Sequence, residues 1–163
     1  MITINKFGYL KYKNKKFKCA LGKAGIGEKK IEGDNVTPIG TYKVLKVYCR
    51  TDRIKKINSK FKIIKIKKDM GWCNDFKSNN YNQLIKLPTK LSHEKLYKKD
   101  NIYDLILVLN FNLNPIIKKR GSAIFIHIAK KNYNPTAGCI ALKKGDIIKL
   151  VKKINKKTKV IIN

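Results

Sequence analysis

The 163-residue chain has no apolar run long enough to cross a membrane as a helix. Its longest apolar segments, such as Leu105–Leu109 and Ala123–Ile126, are strand-sized, against the ~18 residues a span requires. The first ten residues carry Asn5, Lys6 and Gly8 where a secretory signal would show its apolar stretch. The expectation is a soluble single domain over residues 1–163, with no membrane span and no visible export signal. Arginine is nearly missing: Arg50, Arg53 and Arg120 are the only three. That scarcity speaks against specific nucleic-acid readout, where the planar, bidentate guanidinium is favoured. Histidine is limited to His93 and His127, and the four cysteines at 19, 49, 73 and 139 never reach C-x-x-C spacing. No metal site and no cofactor is therefore expected. Cys19 and Cys49 read as small buried hydrophobes in strands.

Hydrophobic residues make up 43% of the chain and aromatics 9%, enough for one ordinary core and too much for wholesale disorder. Acidic residues number 10 against 39 Lys plus Arg, a net charge of +29. Lysine (36), isoleucine (24) and asparagine (16) fill nearly half of the sequence. All three have A/T-rich codons, so codon usage accounts for the skew as readily as selection for a polyanionic partner does. The lysines are scattered and form no basic tail. They predict solubility and steering toward anionic polymers, not a fold.

Turn residues and alternation divide the chain. Thr3–Tyr12, a lysine-rich tip at Lys13–Lys16 and Phe17–Leu21 predict a hairpin. Gly22, Gly25 and Gly27 open a polar loop that runs to Asn35. Pro38 and Gly40 then launch a strand over Thr41–Tyr48, and Phe61–Ile66 is another candidate. Ser92 offers an N-cap for a short helix over Glu94–Lys98, with His93 as a capping or surface residue. Tyr103–Leu109 and Ser122–Ile128 are apolar enough to be central strands. Ile147, Leu150, Val151 and Ile154 recur at helical spacing, with lysines in the last turn. Lys159–Ile162 closes the domain as an edge strand. The fold class is β-rich α+β, a mixed β-sheet sandwich with one main helix after Cys139.

Chemistry concentrates near the second apolar strand. Alternation there sets Ile124, Ile126 and Ile128 on one face and Phe125 and His127 on the other. Twelve residues after His127, Cys139 follows the compact turn Thr136-Ala137-Gly138. A thiol beside an imidazole is the minimal equipment for nucleophilic acyl transfer, and backbone N–H groups at such a turn can stabilise an oxyanion. A structural histidine and an inert thiol fit the same spacing.

The segment Ile126-His127, followed by Pro135-Thr136-Ala137-Gly138-Cys139-Ile140-Ala141-Leu142, resembles the catalytic signature of the YkuD-type L,D-transpeptidases. Thr37-Pro38-Ile39-Gly40-Thr41-Tyr42, Gly71-Trp72-Cys73-Asn74-Asp75, Tyr81-Asn82, Ser92-His93-Glu94, Tyr103-Asp104 and Arg120-Gly121-Ser122 extend the resemblance toward small bacterial members. The resemblance implies Cys139 as nucleophile and His127 as general base and acid, with the Ile128 carbonyl as third element. It implies Gly138 and Cys139 N–H groups as oxyanion donors. Arg120, Thr136 and Trp72 are the substrate-binding candidates. The implied substrate is a peptidoglycan stem peptide, the product a 3→3 crosslink, the location the periplasm or cell envelope, and the state a monomer. Ala137 stands where better-known members carry histidine, and the His-to-Cys separation is shorter than usual. Hydrolysis by the same pair, as an L,D-carboxypeptidase, and a basic nucleic-acid-binding module without catalysis are the alternative readings.

Overall fold

A computed structural model describes residues 1–163. Three N-terminal strands, β1 (Ile2–Asn5), β2 (Tyr9–Tyr12) and β3 (Lys15–Ala20), form an antiparallel meander. A loop containing the short parallel pair β4 (Ile26–Gly27) and β5 (Thr37–Pro38) leads to the long strand β6 (Gly40–Cys49). Then come β7 (Ile63–Lys65), β8 (Met70–Cys73), β9 (Leu84–Lys86), β10 (His93–Lys95), β11 (Leu105–Leu109), β12 (Phe125–Ile128) and β13 (Ile140–Leu142). Helix α1 (Lys144–Val151) and strand β14 (Lys159–Ile162) complete the chain.

The length of β6 decides the architecture. One edge carries β14 opposite residues 40–43 and β7 opposite residues 47–49, while its other edge pairs with β11. Because β11 continues through β12, β13, β3, β2, β1 and β14 back to β6, the large sheet closes on itself as a barrel. Closure removes the free edges that a simple sandwich would leave. Strands β10, β8 and β9 form a separate small sheet.

All five residues of β11 and all four of β12 are buried, because both faces of this wall are covered. Leu105, Leu107, Leu109, Ile126 and Ile128 point into the barrel and join the main core, as do Ile147, Leu150, Val151 and Ile154. Ile106, Val108 and Phe125 face outward into a second core with Trp72, Leu96 and Tyr103. Burying β11 alone contributes on the order of 10 kcal/mol before entropy is subtracted. That anchors the wall on which His127 sits.

Three expectations are corrected. The helix over Glu94–Lys98 does not form: His93–Lys95 is strand β10, paired with Cys73, Trp72 and Gly71. So short a helix has a costly nucleus, whereas the ladder satisfies the backbone, and Ser92 Oγ donates to Asn74 Oδ1 (2.6 Å) instead of capping. Lys159–Ile162 is an interior strand, parallel to β1 and antiparallel to β6. The opening strand is broken at residues 6–8, where Asn5 Oδ1 accepts the Phe7 and Tyr9 N–H groups. The C-terminal helix and the burial of Cys19 and Cys49 follow the pattern read from the sequence.

Candidate active site

Strands β12 and β13 run parallel, with His127 opposite Ala141. Cys139 lies two residues before Ala141, so its side chain projects from the same sheet face as those of Phe125 and His127. Thiol and imidazole are thus diagonal neighbours on one face of the sheet. Both line one cleft of about 470 Å³, together with Lys29, Glu94, Lys98, Tyr103, Ser122 and Thr136.

The thiol is held at two points. Cys139 S–H donates to the Ala123 carbonyl (3.0 Å), and Sγ accepts the Phe125 N–H (3.4 Å). Of the four cysteines, Cys139 alone is not buried. Desolvation pushes its pKa up to about 12, opposed by the Phe125 N–H and by the charges of Lys29 and Lys98. The resting group is a neutral thiol at neutral pH.

The imidazole is neutral for the same reason. His127 is buried, and loss of hydration depresses its pKa below the ordinary 6.5, against the opposing hydrogen bond to Ile128. Nδ1 lies 2.9 Å from the Ile128 carbonyl, which assigns the proton to Nδ1 and leaves Nε2 as the basic nitrogen. Tyr103 packs edge-on against the ring at a centroid distance of 5.2 Å. Lys98 Nζ stands 4.7 Å over the Tyr103 ring and donates to Glu94 (3.0 Å).

The turn before Cys139 is braced by Thr136. Its hydroxyl donates to the Cys139 carbonyl (2.6 Å) and accepts the Gly138 N–H (3.1 Å). The Gly138 N–H is therefore already engaged, which removes it from the expected oxyanion donors. The Cys139 N–H has no partner in the protein and is the donor that remains. Gly138 itself sits at φ +134°, and a Cβ there would lie 2.8 Å from the Val36 carbonyl oxygen. Only glycine fits, because the backbone just before Thr37-Pro38 passes directly behind it. Thr37 is fully buried, and its Oγ1 accepts the Gly22 N–H (2.7 Å), which fixes that passage.

The other substrate-binding candidates are placed differently. Trp72 does not line the cleft: it is buried, packs edge-on against Phe125 at 5.1 Å and donates to Asn82 Oδ1 (3.0 Å). Its bulk belongs to the second core beneath the site. Arg120 is exposed and is not among the cleft residues. Thr136 lines the cleft, but its hydroxyl serves the turn. His93 bonds the Leu91 carbonyl and stays outside the cleft.

Sequence reasoning missed Lys29 as a cleft residue and Asn82 as a support. Asn82 is buried; its Oδ1 also accepts the Ala123 N–H (3.0 Å), and its Nδ2 donates to the Phe111 and Asn112 carbonyls. It thereby holds the segment whose carbonyl accepts the hydrogen bond of the Cys139 S–H. The Trp72 and Tyr81-Asn82 motifs were visible, but nothing in their spacing revealed that they converge on Ala123.

A protonated thiol, a neutral imidazole with one free nitrogen and a cleft lined by both charges equip a thiol-bearing catalytic domain of the β-rich α+β class. The chain belongs to the YkuD family, the L,D-transpeptidase catalytic domain, whose family model matches residues 3–162. No curated protein matches it. Among solved structures it is similar to the helical cell shape determining protein Pgp2 from Campylobacter jejuni, in native form (18% identity) and as a point mutant (20%). Each has a TM-score of 0.49, with 99% of this chain and 46% of that chain covered. The chain spans about half the length of Pgp2.

Proposed function

We propose that the protein is a cysteine-dependent L,D-transpeptidase acting on peptidoglycan stem peptides in the cell envelope. The observation that carries this reading is the shared cleft of Cys139 and His127, with Nδ1 tied to the Ile128 carbonyl and Nε2 left basic. Cys139 Sγ attacks the carbonyl of the L-centre of diaminopimelate in a donor tetrapeptide while its proton passes to His127 Nε2. The developing oxyanion accepts from the Cys139 N–H. Collapse breaks the C–N bond, His127 returns the proton to the departing amine, and D-alanine leaves with a thioester on Cys139. An amine of a second stem peptide, deprotonated by His127, attacks the thioester and regenerates the thiol, giving a 3→3 crosslink.

Because Ala123 O accepts the resting S–H, deprotonation requires the thiol to turn from that carbonyl toward Nε2. Substrate filling the cleft excludes water and strengthens the donors there. The experiment is incubation with disaccharide tetrapeptide and mass analysis of the products. A crosslinked dimer with loss of D-alanine supports transfer. A tripeptide alone assigns the L,D-carboxypeptidase reaction to the same pair, and unchanged tetrapeptide contradicts both.

A further inference from the structure

One wall of the cleft carries a cation that no residue of the protein fully satisfies. Lys29 is 5% exposed, yet it lines the cleft and is paired with Asp34. Its stem lies against Gly121, where an added Cβ would fall 2.3 Å from Lys29 Cε, so the glycine at φ +116° leaves the room the lysine occupies. An ammonium has three donors and no acceptor, and Asp34 is the only acceptor Lys29 Nζ has. Two N–H groups of a buried charge are left without a protein partner, a costly arrangement unless a ligand completes it.

Asp34 does not need Lys29 in order to be satisfied. Its carboxylate also accepts the N–H groups of Lys30, Ile31 and Val36. The pair therefore holds the lysine in place more than it holds the loop.

Ser122 supplies an independent sign of a ligand. It is 6% exposed and lines the same cleft, and its Oγ is the one buried side-chain polar atom without a hydrogen-bond partner. The Tyr81 hydroxyl beside it donates to Glu32 (2.5 Å) and accepts the Gly121 N–H (2.9 Å), so Tyr81 is the one protein group near enough to compete with a ligand for the Ser122 hydroxyl. Lys29 packs against Gly121 and Ser122 follows it in the chain, which brings a buried ammonium and the Ser122 hydroxyl to one wall.

We propose that Lys29 and Ser122 form a carboxylate-binding subsite that recognises a free carboxylate of the donor peptide. The chemistry follows from the donors. Two ammonium N–H groups and a hydroxyl match the two oxygens of a carboxylate, and a charged partner offsets the desolvation that a neutral amide oxygen would not. Lys29 and Cys139 line the same cleft, so a carboxylate on Lys29 is held in the cleft that presents the thiol. This assignment rests on the peptidoglycan reading above, and it adds which residues choose the donor. Two carboxylates of the tetrapeptide have the required chemistry: the terminal one, and the one on the D-centre of diaminopimelate.

The test is the second-order rate of Cys139 acylation, followed by intact-protein mass. Three donors are compared: the tetrapeptide, its C-terminal amide, and the tetrapeptide amidated at the D-centre. The subsite predicts that one amidation slows acylation by about 10- to 100-fold, the range of a charge-assisted hydrogen bond, and the sensitive position identifies the carboxylate. In Lys29→Met the advantage of the free peptide over that amide should disappear, whatever general slowing of both donors follows from losing the ammonium's effect on the thiol. Ser122→Ala, which leaves Tyr81 its bonds to Glu32 and Gly121, should slow the free peptide several-fold at unchanged Tm. Equal rates for all three donors would overturn the subsite and leave the proposed function standing. No acylation by any donor, with Cys139 still open to a thiol reagent, would overturn the proposed function and this subsite with it.

Discussion

Raising the pH should accelerate modification of Cys139 steeply, and the structure sets the size of the effect. Loss of hydration in the cleft lifts the thiol from an ordinary value of 9.0 to about 12. At pH 7.5 the thiolate fraction is then about a thousandfold lower than for an ordinary cysteine, since each pKa unit is a factor of ten. The higher pKa makes the thiolate that does form more nucleophilic, recovering roughly 15- to 30-fold at a Brønsted slope of ~0.4–0.5. Thiol–disulfide exchange at Cys139 should therefore run about 30- to 60-fold slower than at a free cysteine at this pH. The assay is reaction with a neutral aromatic disulfide, monitored by thione release and mapped to residue 139. Cys19, Cys49 and Cys73 are buried and should stay silent. The rate should climb about tenfold per pH unit from 7 to 10. In Lys29→Met it should fall further, because that ammonium favours the thiolate. A plateau across pH 7–9, at or above the free-cysteine rate, would mean a resting thiolate–imidazolium pair and would refute the neutral-pair account.

Thr136→Val removes the hydroxyl that serves both the Cys139 carbonyl and the Gly138 N–H. It should cost about 1–3 kcal/mol by urea unfolding and lower Tm by roughly 2–12 °C for a chain of this size, with Thr136→Ser close to wild type; equal values for Val and Ser would contradict the brace. The depressed pKa of His127 means the unfolded chain binds more protons below pH 6.5. Stability is thus fully present above pH 6.5 and should be lost as pH falls through the folded value, and His127→Gln should flatten that loss between pH 7 and 5. If the +29 charge steers the protein to anionic wall polymers, turnover of intact sacculi should fall with added salt while turnover of soluble tetrapeptide falls less. Equal salt dependence would remove the steering role.

The sequence was most legible where one periodicity ruled. Alternation set Ile126 and Ile128 on one face and His127 on the other, as β12 (Phe125–Ile128) has them, while residues 122–124 lie outside the strand and Ile124 also reaches the cleft. Helical spacing located the α1 stripe, because a single face of that helix is buried. The failures share a cause: each depended on a partner distant in the chain. The Glu94–Lys98 segment has a plausible cap and no strand periodicity, and only pairing with β8 makes it extended. Lys159–Ile162 looks like an edge because its second neighbour, β1, lies at the other end of the sequence. Trp72, a substrate-binding candidate from its motif, sits in a stretch with no clear periodicity, and Phe125 and Asn82 draw it inward. Lys29 was hidden among glycines and lysines in a loop, and its burial follows from the close approach of Gly121. The Cys–His spacing allowed an inert reading until the parallel pairing of β12 with β13 brought both side chains to one cleft.

Single-turnover mixing with a large excess of tetrapeptide, quenched in acid and read by intact mass and peptide mapping, goes to the centre of the account. The protein should gain the mass of the acyl donor less D-alanine, on Cys139 alone. That gain should be absent in Cys139→Ala and slowed at least about 100-fold in His127→Ala, the scale of a lost general base. A protein whose mass never changes while Cys139 stays free, or whose acylation proceeds undiminished without His127, would contradict it.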